Sequence, residues 1–114
     1  MEPLSVWFHG TNKSGLIGIL EFGFKPNRGL FGEGIYFTST KDGARIFGDQ
    51  IVKVEIDHSR IHSIDFSDFF KRYPNENDWG RAAELGYPAV AFFYGNGEVE
   101  LVVYQADLIQ TNDL

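Results

Sequence analysis

Phe31-Gly32-Glu33-Gly34-Ile35-Tyr36-Phe37 is the stretch on which the fold turns. From Pro26 to Gly34 the chain holds one proline and three glycines, so residues 26–33 read as a loop wrapped around something. Ile35 to Thr38 then reads as a strand, being β-branched and aromatic. Outward from it lie two further pieces: Phe8-His9-Gly10-Thr11 before, and Glu100-Leu101-Val102-Val103-Tyr104 well after. A histidine leaves one strand, a tyrosine enters a second, and a glutamate starts a third.

Composition bounds what these pieces can belong to. The chain has 114 residues, enough for a single core, and is expected to form one domain over residues 1–114. Apolar residues make up 43% and aromatics 16%, eleven of them Phe, which is packing material for a globular fold. A net charge of −6 gives no support to a generic nucleic-acid footprint, which needs clustered Lys and Arg. With no cysteine there is no disulfide framework, zinc ribbon or thiol nucleophile. Three scattered histidines do not make a metal site, and His58 and His62 read as surface or turn residues. No apolar run approaches membrane-spanning length, and Met1-Glu2-Pro3-Leu4 lacks a signal pattern. The expectation is a soluble, cytoplasmic monomer, acting in its own cell or a target cell, with no membrane partner.

The remaining elements follow from periodicity. Leu4 to Phe8 reads as a strand ending at His9-Gly10. Thr11-Asn12 or Ser14 caps a helix with Leu16, Ile19 and Leu20 on one face, stopped at Gly23. Ser39 or Thr40 caps a short helix through Phe47. Ile51 to Ile56 alternates cleanly, with Val52, Val54 and Ile56 on one face and Lys53 and Glu55 on the other. Short helices are expected over 66–73 and 78–85, the second capped by Asp78. Ala89 to Tyr94 and Val99 to Val103 read as a hairpin about Gly95-Asn96-Gly97, and Ala106 to Ile109 as a last short strand. Early strands separated by helices, then a hairpin, point to α+β with a mixed, mostly antiparallel sheet.

The three pieces together resemble the His-Tyr-Glu signature of ADP-ribosyltransferases of the poly-ADP-ribose polymerase and diphtheria-toxin type. Phe-Gly-Glu-Gly-Ile-Tyr-Phe differs from the polymerases' Phe-Gly-Lys-Gly-Ile-Tyr-Phe only at Glu33, and Glu100-Leu-Val-Val-Tyr matches a Glu, three apolar, Tyr frame. The likeness covers most of residues 6–56 and 86–109. It implies an ADP-ribosyltransferase-like split β-sandwich, two small mixed or antiparallel sheets with short helices, and NAD as co-substrate without a metal.

The resemblance also implies roles. Glu100 would be the catalytic carboxylate, stabilising an oxocarbenium-like ribose as nicotinamide leaves. Tyr36 would stack on nicotinamide, with Gly34 allowing close backbone approach and Phe47 offering a second aromatic wall. His9 would bond the adenosine ribose, the Gly10 backbone the nicotinamide amide, and Thr11 would support His9. Lys25 would face the pyrophosphate, with Arg28 in the same loop. Glu98 and Glu33 would lie on the acceptor side.

Each residue has a blander reading beside this one: a solvent-facing strand glutamate, a core tyrosine, a strand-end histidine bonded to backbone, a solvated loop lysine. Little room for a growing polymer makes mono-ADP-ribosyl transfer the expected activity, to an unknown acceptor: a protein, a nucleic-acid end or a small molecule. The alternatives are an NAD glycohydrolase with water as acceptor and a non-catalytic NAD or ADP-ribose binding domain. An RNA 2′-phosphotransferase of the same superfamily is disfavoured by the charge.

Overall fold

A computed structural model describes residues 4–109. It is a mixed α+β fold with a seven-stranded sheet and a few short helices. The strands are β1 (Leu4–Thr11), β2 (Asn27–Gly29), β3 (Gly32–Thr38), β4 (Gln50–Asp57), β5 (Ile61–Asp65), β6 (Ala89–Phe93) and β7 (Val99–Val103). The helices are α1 (Lys13–Phe22), α2 (Lys41–Arg45) and α3 (Phe66–Arg72), with 3₁₀ turns elsewhere. The strand order is β4-β1-β3-β7-β6-β5, with β2 pairing on β3; only β5 and β6 run parallel.

The expectation of two separate small sheets meets a single hydrogen-bonded path. That path narrows at one place. β1 and β4 pair along eight positions, from Leu4↔Asp57 to Thr11↔Gln50, whereas β1 and β3 share only Phe8↔Thr38. Beyond that pair the two strands separate.

The central strands read as continuous apolar runs because both faces of the sheet are covered. Alternate residues of β6 and β7 go to opposite sides. Ala89, Ala91, Leu101 and Val103 join Trp7, Phe37, Val52, Val54 and Ile56 in one buried cluster. Val90, Phe92 and Val102 join Phe31 and Phe69 in the other. Phe31, fully buried, stacks on Phe92 with ring centroids 3.8 Å apart, and so anchors the tip of the β2–β3 hairpin.

Several elements depart from the sequence reading. β1 continues to Thr11, so His9 and Gly10 lie within the strand. Residues 27–29 of the expected loop pair with β3 as β2. β5, unforeseen, lies beside β6. The segment Glu76–Leu85 is a 3₁₀ run capped by Asn75 rather than an α-helix capped by Asp78. Ala106–Leu108 is a 3₁₀ turn, not a strand; Leu108 and Ile109 pack on the first cluster.

Candidate functional site

The separation of β1 from β3 is what exposes groups for a ligand. Continuing the ladder from Phe8↔Thr38 would set Gly10 opposite Tyr36, but the backbones have parted there. The Tyr36 carbonyl instead accepts a hydrogen bond from the His9 ring, Nδ1 to oxygen 2.7 Å. A carbonyl only accepts, so Nδ1 carries the proton. Burial holds the His9 pKa below its usual value, partly offset by that hydrogen bond, so the ring is neutral at pH 7 with Nε2 as an acceptor. Phe24 and Phe37 pack edge-on against the ring, with centroids 5.2 and 5.6 Å away.

His9 opens on a cavity of about 270 Å³, lined also by Thr11, Ile19, Phe22, Phe24, Lys25 and Asn27. Thr11 is half-buried and Lys25 exposed, its ammonium 5.3 Å from the centre of the Phe22 ring. α1 forms one wall and starts cleanly because the Asn12 side chain accepts from the Gly15 amide at 2.7 Å.

Tyr36 and Glu100 share a face of the sheet, because Tyr36 opposes Val102 and Glu100 opposes Thr38 across β3 and β7. They line a second cavity, about 310 Å³, with Arg28, Gly29, Leu30 and Phe47. The Tyr36 hydroxyl donates to the Gly32 carbonyl (2.6 Å) and accepts from the Phe31 amide (2.9 Å), which fixes the ring beneath the β2–β3 turn. Burial, with the Glu100 carboxylate nearby, pushes the Tyr36 pKa up to about 12. Gly29 lies against this ring: a β-carbon there would come within 2.5 Å of Tyr36 Cζ.

Glu100 is the unusual group. Its Oε1 is buried and has no hydrogen-bond partner among the described residues. Burial raises its pKa; burial chiefly, with a smaller contribution from the Glu100 charge, also raises those of Tyr94 and Tyr104. A carboxylate oxygen buried without a partner on a half-buried glutamate costs stability, and such a group is a candidate for function.

A third cavity, about 180 Å³, shares Glu100 and Phe47 with the second and adds Thr38, Gly43, Ile46, Tyr94, Glu98 and Val99. Glu98 is exposed, immediately precedes β7, and lines this cavity together with Glu100. Phe47 is 59% exposed and is no core residue; it stands between the two cavities.

The structure thus brings Glu100, Tyr36 and Phe47 to one cavity, Glu98 to its neighbour, and His9, Thr11 and Lys25 to another that shares no lining residue with these two, His9 being tied to Tyr36 by its hydrogen bond to the Tyr36 carbonyl. Two glycines are also required by packing. Gly34 is buried, and a β-carbon there would lie 2.7 Å from Val102 Cγ1, so its role is close packing of β3 on β7. Gly10 is where α2 crosses β1, the Ala44 carbonyl lying 1.7 Å from where a β-carbon would be. Glu33 is exposed, opposite Arg28 across the β2–β3 ladder, and lines none of these three cavities. The sequence reading missed Ile46 and Tyr94. Tyr94 was findable: it shares parity with Phe92, which opposes Glu100. Among the described residues no group of His, Asp or Glu is arranged to hold a metal, and no helix is long and apolar enough to cross a membrane.

No family model and no curated protein matches the chain. Among solved structures, the crystal structure of an anti-CRISPR protein is similar at 14% identity and a TM-score of 0.44, over 88% of this chain and 90% of that one. That likeness is too distant to carry an argument.

Proposed function

We propose that this chain is a mono-ADP-ribosyltransferase that cleaves the nicotinamide–ribose bond of NAD and passes ADP-ribose to an acceptor. The observation that carries the reading is the half-buried Glu100, one of whose carboxylate oxygens is buried without a partner at the wall between two cavities. The likeness of the His9, Tyr36 and Glu100 segments to the His-Tyr-Glu signature supports it, as do the His9–Tyr36 hydrogen bond and the cavity that Tyr36 shares with Glu100. On this reading the narrow β1–β3 junction corresponds to the split between the family's two small sheets.

The chemistry follows from charge. Nicotinamide is bound to C1′ through a cationic nitrogen and leaves as a neutral molecule, taking the bonding pair, so it needs no acid. The ribose left behind develops positive charge, and an ionised Glu100 stabilises it. Tyr36 offers its ring to nicotinamide, with Phe47 as a second apolar wall. On this reading the cavity of about 270 Å³ beside His9 takes the adenosine half of the dinucleotide and that of about 310 Å³ beside Tyr36 the nicotinamide half, the two residues being tied by the His9–Tyr36 hydrogen bond. His9 Nε2, lone pair outward, accepts from a ribose hydroxyl, and Lys25 and Arg28 supply cations for the phosphates. The acceptor's nucleophilic atom bonds to C1′ as the C1′–N bond breaks, and its proton passes to Glu98 or to water.

The test is to incubate the protein with labelled NAD, alone and with cell lysate, and to resolve free nicotinamide from labelled macromolecules. Nicotinamide release with labelled acceptor is expected. Release without any labelled macromolecule gives a glycohydrolase, and no release under either condition refutes the enzyme.

A further inference from the structure

We propose that β4 is a dimerisation edge, through which two copies of this chain join their sheets around a two-fold axis. β4 ends the strand order, and all eight of its residues pair with β1 on one side. Among the described residues no strand lies on its other side, so a row of backbone N–H and C=O groups points outward. The strand is long and regular. Gln50–Asp57 contains neither proline nor glycine, and its register with β1 is unbroken. The opposite edge, β5, is only five residues long.

Open edges of this kind are usually blunted by charge. The charges on β4 are arranged so that a second copy complements them. Val52, Val54 and Ile56 are buried at 5%, 2% and 0% exposure, while Lys53 and Glu55 lie on the other face. Antiparallel pairing of two copies about an axis normal to the sheet sets each residue opposite one of the same parity. With Val54 on the axis it faces its own copy, Val52 faces Ile56, and Lys53 faces Glu55 of the second copy, twice by symmetry. Opposite charges directly across strands attract. Moving the axis by one residue sets Lys53 against Lys53, or Glu55 against Glu55. The charges therefore select one register, and in it the buried faces of the two copies continue one another. The sequence alone suggested a monomer; the free, self-complementary edge points to a reversible dimer.

The experiment is sedimentation velocity across the micromolar range on the full chain, with circular dichroism confirming that each variant is folded. Wild type should show a concentration-dependent monomer–dimer equilibrium. K53E or E55K alone turns both facing attractions into repulsions and should weaken association about tenfold or more. The double swap K53E/E55K should restore it. Mixing the two single variants should also restore it, because one edge then carries only carboxylates and the other only ammonium groups. A chain monomeric at every concentration overturns the proposal, as does a dimer indifferent to these reversals. Neither result depends on whether NAD is cleaved.

Discussion

At the scale of single residues, Glu100 sets function against stability. Its folded pKa lies above the unfolded value, so the fold favours the neutral carboxyl. That contribution is full below a pH of about 4.3 and is lost as pH rises through the folded value. At neutral pH the ionised, unpartnered group is a burden that a neutral amide would lift. Glu100→Gln should therefore melt at a higher temperature than wild type at pH 7, and calorimetry should find that advantage gone near pH 4. The same variant should lose about 10²–10³ in the rate of nicotinamide release. A variant both stabler and inactive is what a group held for catalysis predicts; one destabilised at pH 7 would make Glu100 a structural residue. Tyr36 divides differently. Tyr36→Phe keeps the ring but removes the hydroxyl that joins the Phe31 amide to the Gly32 carbonyl. Leaving those groups unpaired costs about 1–3 kcal/mol. Denaturant unfolding should show that loss while NAD binding by the ring persists.

At the scale of elements, α2 depends on a missing side chain. Gly10→Ala would drive a methyl into the Ala44 carbonyl, 1.7 Å from the ideal β-carbon position. Backbone cannot yield as a side-chain tip does, so α2 must move and take Phe47 with it. A loss of about 1–3 kcal/mol is expected, as for overpacking elsewhere, with weakened NAD binding measured alongside. Elements with a strong period were legible. β4 showed its alternation, and the 95–97 turn its two glycines, both of which adopt positive φ. β5 was not legible, because Ile61-His62-Ser63-Ile64-Asp65 is an edge strand with three exposed polar residues, held by its neighbour rather than by its own pattern. Residues 106–109 failed for the converse reason: Leu108 and Ile109 are apolar because they reach the core from a turn. Of the candidate site, motif neighbourhoods singled out His9, Tyr36 and Glu100, of which Tyr36 and Glu100 line one cavity. Close packing at Gly10 and Gly34 was invisible, since the contacting partners lie far away in sequence.

At the scale of the whole molecule, the single pair Phe8↔Thr38 is the narrowest point in the sheet. It divides the backbone ladder into a β1–β4 ribbon and a larger block carrying Tyr36 and Glu100. What holds the two together is mainly side-chain packing, through Trp7, Phe37, Val52 and Val54, rather than a shared ladder. Backbone ladders open strand by strand, whereas a packed seam can part as a unit. The ribbon should therefore behave as a cooperative sub-domain of lower stability than the block. In native-state hydrogen exchange, amides bonded between β1 and β4 should become labelled together, at a lower opening free energy than those between β6 and β7. A ligand bridging His9 and Tyr36 spans that seam, so it should slow labelling of amides far from any atom it touches. One missing row of hydrogen bonds would thus let a small molecule report its presence at the distant edge of the sheet.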